Sequence, residues 1–263
     1  MPIMNDNKYK VDMYPSMILV EILYEFVNGE YWYGVEDDYI KDAALSSSKS
    51  LPETALHKIL YYLAYIDFYL YKYDDRDWVV DEKDAIRLFE SWIPHMGMKL
   101  PHHYKTLDGL TAFLTKEKFL LGLNRIVDSA FSILWTQKEI LYKFNLLLAE
   151  YVKDFKKKDY PKILEEDGVI DRDCQKTWPK WLKKQILFRD RGFCQYCGKR
   201  VSDNDLLNDD YDIDHMVPLK KGGTYDPTNL ILACSHCNRS KGKKYKPVTD
   251  FFTWPNRKDF NGI

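Results

Sequence analysis

The chain has 263 residues, of which 45% are hydrophobic and 30% are charged. This composition excludes a disordered chain, and the most apolar stretches, such as residues 126–135, are shorter than the roughly 18 residues of a membrane-spanning helix. We therefore expect a globular protein of two domains. Its first residues lack a basic segment followed by an apolar one, so we expect it in the cytoplasm.

Charge is distributed unevenly along the chain. Residues 1–170 contain 21 Lys and Arg against 28 Asp and Glu, whereas residues 171–263 contain 18 against 12. A basic segment attached to an acidic remainder is typical of a protein in which one region contacts a polyanion. We predict a domain boundary after residue 170 and nucleic-acid contact in the second domain only.

The first domain carries the periodicity of helices. Ser50 at a plausible N-cap, Pro52 and Glu53 predict the start of a helix that continues to Tyr71. A similar Ser/Thr-x-x-Glu signal at residues 136–139 opens a second helix. Weaker helical patterns cover residues 17–27, 82–92 and 116–135. The sequence therefore predicts an all-α domain.

The role of this helical domain is open from the residues alone. Its predicted helix that continues to Tyr71 is dense in tyrosine and phenylalanine, which either extend the core or face a partner. We expect the domain to regulate its neighbour, to choose the target, or to dock a companion protein such as an ATPase or a sensor.

Five cysteines occur, all after residue 170. Four of them form two C-x-x-C pairs, Cys194 with Cys197 and Cys234 with Cys237. In a cytosolic chain this pattern is typical of a tetrahedral Zn²⁺ site. A redox C-x-x-C is the alternative, disfavoured by the second pair and by the lack of a βαβ pattern. We predict structural Zn²⁺ on these four thiolates and an ordinary packing role for Cys174.

Residues 178–245 contain the elements of a small metal-stabilised fold. A helix is predicted to begin at Thr177, ahead of the first cysteine pair. Alternation within residues 211–219 predicts a strand, and residues 229–232 predict a returning strand. The segment 234–242 predicts a short helix that ends at a glycine.

This order of elements resembles the HNH endonuclease superfamily, most closely its McrA-like, zinc-stabilised branch. The matching runs are C-Q-Y-C-G, D-H-M-V-P-L-K-K-G-G and N-L-I-L-A-C-S-H-C-N-R-S-K-G. The resemblance implies a ββα-metal domain at residues 171–263, with its core at 178–245. The predicted fold class is therefore α+β, with an all-α domain at residues 1–170 and an HNH domain after it.

The same resemblance implies roles for four residues. His215 matches the general base, and an imidazole suits that role because it accepts a proton near neutral pH. Asn229 matches the residue that fixes the loop carrying the base. Asp214 and Asn238 match the ligands of a catalytic ion, for which oxygen ligands favour Mg²⁺ or Mn²⁺. Many members have His where Asn238 stands, and neighbours on a regular strand point to opposite faces, so Asp214 and His215 share a site only if the backbone twists.

Basic side chains around these motifs are predicted to contact DNA phosphates with little sequence discrimination. They are Lys220, Lys221, Arg239, Lys241, Lys243 and Lys244. The sequence thus favours an HNH endonuclease that cuts DNA in restriction or anti-phage defence. The alternative is a zinc-stabilised module that binds nucleic acid or acts as a scaffold without cutting.

Overall fold

The computed structural model describes residues 13–30, 35–73, 82–99, 116–201 and 211–246, together with residues 106, 109 and 248. The described residues fall into two compact units. The first draws on residues 1–43 and 55–134, and the second on residues 44–54 and 135–263. Among the described helices, none combines the length and the hydrophobicity needed to cross a lipid bilayer.

The described helices of the first part of the chain cover most of the predicted helical segments and add one that was not predicted. They are α1 (Met13–Asn28), α2 (Asp37–Ser46), α3 (Ala55–Tyr73), α4 (Glu82–His95) and α5 (Lys116–Leu134). In the first unit α1, α3 and α5 contact one another in all three pairings. Fully buried leucines, among them Leu19, Leu60 and Leu123, form its core.

The predicted start of α3 is wrong by several residues. The helix begins at Ala55, and Ser50 lies outside it in the second unit. There the Ser50 hydroxyl donates to the carbonyl oxygen of Tyr225 at 2.7 Å, and the Ser50 N–H donates to the Gln175 side chain at 3.1 Å. Tertiary hydrogen bonds have taken the place of the capping interaction that the local sequence favours.

The second unit begins before the predicted boundary at residue 170. It contains α6 (Lys138–Asp154), a small antiparallel pair formed by β1 (Leu164–Glu166) and β2 (Val169–Ile170), and then α7 (Lys180–Arg189). The segment that reads as a polar linker is thus partly a hairpin. Hydrogen bonds tie the earlier residues into this unit, because Ser47 donates to Asp226 at 3.0 Å and Asn145 donates to Thr228 at 3.0 Å.

The strand, returning strand and short helix predicted after residue 210 are present in the structure. β3 (Asp212–His215) pairs antiparallel with β4 (Leu230–Ala233), and α8 (Ser235–Lys241) follows directly. Buried aliphatic side chains from α7 and both strands form a common core: Leu182, Ile186, Val201, Ile213, Leu230 and Leu232. With helices and two small described sheets, the protein is α+β.

A buried ion pair at the end of α7 fixes the position of β4. Arg189 and Asp190 are both buried, and the Arg189 Nε atom donates to Asp190 Oδ1 at 2.8 Å. The Oδ2 atom of Asp190 accepts the N–H of Leu232 at 2.7 Å, and the carbonyl of Leu232 accepts the N–H of Gln195 at 2.9 Å. This chain of contacts holds the first cysteine pair beside β4.

Candidate functional site

The four cysteines of the two C-x-x-C pairs lie together. Their sulfur atoms are all within 4.8 Å of one another, and the Sγ atoms of Cys197 and Cys234 are 4.0 Å apart. Four thiolates around Zn²⁺ at Zn–S distances of about 2.3 Å stand about 3.8 Å apart. The cluster therefore has the donor chemistry and nearly the spacing of a structural zinc site. Cys174 is not part of it, as predicted.

Backbone groups favour a thiolate at Cys194. Burial alone would raise the pKa of this thiol, but the N–H groups of Cys234, Tyr196 and Cys197 are directed at its sulfur and lower the pKa to about 7. Donors of this kind stabilise the charged form of a thiol, which is the form that binds zinc. Burial raises the pKa of Cys197, and that of Cys237 to about 12, so the fit to Zn²⁺ rests on the geometry of the four sulfur atoms.

Asp214, at the third position of β3, is buried and fully hydrogen-bonded. Its Oδ1 atom accepts the N–H of His215 at 2.8 Å. Its Oδ2 atom accepts the hydroxyl of Tyr196 at 2.7 Å and lies 3.0 Å from the ammonium of Lys241. Burial and the Asp214 carboxylate raise the pKa of Tyr196, so its hydroxyl remains a neutral donor.

His215 ends β3 and lies among aromatic rings. Its ring centre is 5.6 Å from that of Trp178 and 5.1 Å, edge-on, from that of Tyr225. Its Nε2 atom is buried and has no hydrogen-bond partner among the described residues. Burial, together with the positive charges of Lys241 and Arg172, lowers the pKa of His215 to about 3. The imidazole is therefore neutral at physiological pH.

The Asn229 side chain closes the loop that follows His215. It is fully buried, and its Oδ1 atom accepts the N–H of Val217 at 2.8 Å. Its Nδ2 atom donates to the carbonyl oxygens of Val217 and Thr224, at 3.0 Å and 2.9 Å. The backbone N–H of Met216 donates to the Asn229 carbonyl at 2.7 Å. One amide side chain thus holds both ends of residues 217–224.

Two glycines let this loop adopt its shape. Gly222 has a φ of +83°, and a Cβ there would lie 2.5 Å from the carbonyl oxygen of Ala149 in α6. A Cβ on Gly223 would lie 1.8 Å from the carbonyl oxygen of Val217. At Gly223 any residue with a Cβ would therefore force the backbone to move. The K-K-G-G turn is therefore required by the packing of the loop.

The predicted ligands of a catalytic ion are not arranged for one. Asn238 lies on α8 and is partly exposed. The Oδ1 atom of Asp214 accepts one hydrogen bond, and its Oδ2 atom faces a hydroxyl and an ammonium group. Mg²⁺ takes oxygen ligands in near-ideal octahedral geometry. As arranged, these residues do not fit a divalent ion at Asp214.

Four of the six predicted DNA-contacting residues line one open cleft of about 690 Å³. They are Lys220, Lys221, Lys243 and Lys244, joined there by Glu166 and Tyr245. Lys220 is paired at 3.1 Å with Glu165 and at 2.9 Å with Glu166, and these hydrogen bonds raise its pKa.

The other two predicted contacts lie elsewhere. Arg239 is exposed on α8, whereas the Lys241 side chain is 1% exposed and faces Asp214. A lysine in that position is a partner of the site rather than part of an open surface.

Sequence reasoning missed three residues that surround the candidate site. Tyr196 stands between the first two cysteines, and Trp178 and Tyr225 contact the His215 ring. The C-Q-Y-C run placed a tyrosine at the metal knuckle, but no periodicity connects it with Asp214. Trp178 lies in a loop before β3 and Tyr225 in a loop after it. Their contact with His215 depends on the tertiary fold and is not visible in the sequence.

Comparison with known proteins gives one family. Residues 194–244 match the model of the HNH endonuclease family. Neither a curated protein nor a solved structure matches the chain. The matched segment begins at the first zinc-type cysteine, includes β3, β4 and α8, and ends beside the basic cleft. The carboxy-terminal part of this protein therefore contains an HNH endonuclease domain.

Proposed function

We propose that the protein is an endonuclease that hydrolyses DNA phosphodiester bonds, with His215 as its general base. The observation that carries this proposal is the position of His215 within the HNH match. It ends β3, directly after a buried carboxylate, and one of its ring nitrogens has no partner among the described residues.

The chemistry needs a base that can take a proton from an attacking water. A neutral imidazole can do so, and His215 is neutral, although its lowered pKa of about 3 makes it a weaker base than a free imidazole. The rings of Trp178 and Tyr225 limit the rotation of its side chain, and Asn229 fixes the backbone that follows it. These contacts would hold the base in one place before the substrate arrives.

The open cleft lined by lysines is the place where we expect the DNA substrate to bind. Lys221, Lys243 and Lys244 line it without a described ion pair, and Tyr245 contributes an exposed aromatic ring. Such groups bind the phosphate backbone of DNA, giving affinity that falls steeply with salt. Lys220 would join them on release from Glu165 and Glu166.

A catalytic Mg²⁺ or Mn²⁺ on Asp214 and Asn238 stays a prediction, and it requires the Lys241 ammonium to move away from Asp214. When bound, such an ion supplies positive charge to the phosphate and to the leaving oxygen. We propose a role in restriction or anti-phage defence, with the helical unit as the place where a companion protein would act.

The test is nicking of supercoiled plasmid by zinc-loaded protein, with Mg²⁺ or Mn²⁺ added. We expect the parent to nick and His215→Ala to lose about 100-fold or more in rate, as is usual for a general base. His236→Ala is the matched control, because His236 is exposed on α8 and lies outside the cysteine cluster. Equal rates for the parent and His215→Ala would refute the role of His215.

A second function is favoured by the contacts of Asp214. A carboxylate neutralised by Lys241 and held by Tyr196 suits a structural position in a domain that binds nucleic acid without cutting it. In that case plasmid would be bound, with the salt dependence expected of the basic cleft, but would remain supercoiled with either metal.

A further inference from the structure

Lys241 is an unusual lysine for the surface of a DNA-binding domain. It is the last residue of α8, and its side chain is 1% exposed. The ammonium lies 3.0 Å from Asp214 Oδ2 and donates to the His215 carbonyl oxygen at 2.6 Å. Lysine is rarely buried this deeply unless a carboxylate compensates its charge. The pair is therefore a specific feature of the site.

The ammonium already supplies a positive charge to Asp214. Oδ2 faces two donors, the Lys241 ammonium and the Tyr196 hydroxyl, whereas Oδ1 accepts one hydrogen bond, from the His215 N–H. A divalent ion on either oxygen would lie close to the ammonium, and two positive charges repel each other strongly at such distances in a buried site.

We propose that Lys241 is the built-in cation of this site, and that a divalent ion binds Asp214 only by displacing its ammonium. The inference rests on the proposed nuclease site, but it concerns binding rather than cleavage. It makes Lys241 a positioning residue for Asp214 and a competitor of the metal, instead of the phosphate contact that its basic neighbours suggest.

The chain becomes exposed directly after Lys241. Lys241 is followed by Gly242 at the end of α8, and the next residues, Lys243 and Lys244, are exposed in the basic cleft. The long lysine stem can move its charged end toward solvent while its carbons stay packed. Released in this way, the ammonium would join the phosphate-binding groups beside it.

The test is direct binding of Mn²⁺ to the full-length, zinc-loaded protein, followed by the loss of the electron paramagnetic resonance signal of free Mn²⁺. Lys241→Met removes the charge and keeps the length of the stem. We expect it to bind Mn²⁺ about tenfold more tightly than the parent, or better. Lys243→Met is the matched control for loss of one nearby positive charge, and we expect much less change.

The double variant Lys241→Met, Asp214→Asn identifies the ligand. The gained affinity should disappear in it. The inference is overturned if Lys241→Met binds Mn²⁺ no better than Lys243→Met, or if its gain survives Asp214→Asn.

A second measurement uses the parent protein, so that no substitution can affect its folding. Reductive methylation read by peptide mass spectrometry should label Lys241 slowly compared with Lys243, and saturating Mn²⁺ should speed the labelling of Lys241. If Mn²⁺ does not change the rate at which Lys241 is methylated, the ammonium is not displaced and the inference is contradicted. If Lys241 and Mn²⁺ compete for Asp214 but the protein does not nick plasmid, the proposed nuclease activity is rejected and this inference stands. If the protein nicks plasmid but Lys241 and Mn²⁺ do not compete, the inference is rejected and the nuclease activity stands.

Discussion

Asn229 and the backbone of Val217 exchange two hydrogen bonds, one in each direction. The Oδ1 atom accepts the Val217 N–H at 2.8 Å, and the Nδ2 atom donates to the Val217 carbonyl at 3.0 Å. A side-chain amide here imitates a peptide group of a β-ladder. Because Asn229 immediately precedes β4 and Val217 closely follows β3, the pair continues the strand pairing beyond His215.

Replacing Asn229 should therefore destabilise the second unit. Asn229→Ala leaves one buried N–H and two buried carbonyl groups without this partner, each worth about 1 to 3 kcal/mol when unsatisfied. We expect a loss of roughly 2 to 4 kcal/mol in the free energy of unfolding, measured by urea denaturation. Asn238→Ala, on the partly exposed face of α8, should change it by much less. Equal effects of the two variants would contradict this assignment.

Zinc should be required for the fold of the second unit. Cys234→Ser removes one of four clustered sulfur ligands, and we expect it to lower the zinc content and the melting temperature, measured by elemental analysis and circular dichroism. Cys174→Ser is the matched control, because Cys174 lies outside the cluster and its thiol donates to carbonyl oxygens near β1. A parent protein purified without zinc, yet equally stable, would disprove the requirement.

The two glutamates of β1 should restrain DNA binding. Glu165 and Glu166 hold Lys220, so the variant Glu165→Gln, Glu166→Gln should free its ammonium for a phosphate. We expect tighter binding to a DNA duplex and a salt dependence of log K steeper by about 0.9, the value for one further phosphate contact. Fluorescence anisotropy across a salt series measures both. An unchanged slope would show that Lys220 does not reach DNA.

Acid should destabilise the second unit in part through His215. Its pKa is about 3 in the folded chain, against about 6.5 in an unfolded one. The unfolded state therefore binds more protons between these values, and the stabilisation present above about pH 6.5 is lost as pH falls toward 3.

The matched variant for this effect is His215→Phe, which keeps a ring against Trp178 and Tyr225 and cannot titrate. Between about pH 6.5 and pH 5 the parent should lose up to about 1.4 kcal/mol per pH unit more than the variant. Urea denaturation at each pH measures the difference. Parallel pH profiles for the two proteins would contradict a buried neutral imidazole.

Features that depend on local spacing were predictable from the sequence. The two C-x-x-C pairs indicated a four-sulfur cluster, and the alternation around Ile213 indicated the strand that became β3. The glycine after Lys241 indicated the end of α8. Each of these follows from a short-range rule for ligand geometry, pleat or helix ending.

Features that depend on distant partners were not predictable in the same way. Lys241 reads as one more basic residue in a basic run, and only the crossing of α8 over β3 turns it toward Asp214. Ser50 satisfies every local rule for an N-cap, yet the Tyr225 carbonyl takes its hydroxyl. In both cases tertiary contacts outweigh a local preference of about 1 kcal/mol.

The hydrogen bonds of Ser47 and Asn145 to the 226–228 turn bear on how an HNH domain can be exchanged between proteins. A segment cut out at residue 171 would leave Asp226 without the Ser47 hydroxyl and Thr228 without the Asn145 amide. If only the segment with the HNH motif were moved into another protein, that protein would need other donors in place of the Ser47 hydroxyl and the Asn145 amide. In this protein the structural unit that holds the HNH motif is therefore larger than the motif itself, and it includes α6 and the turn before α3.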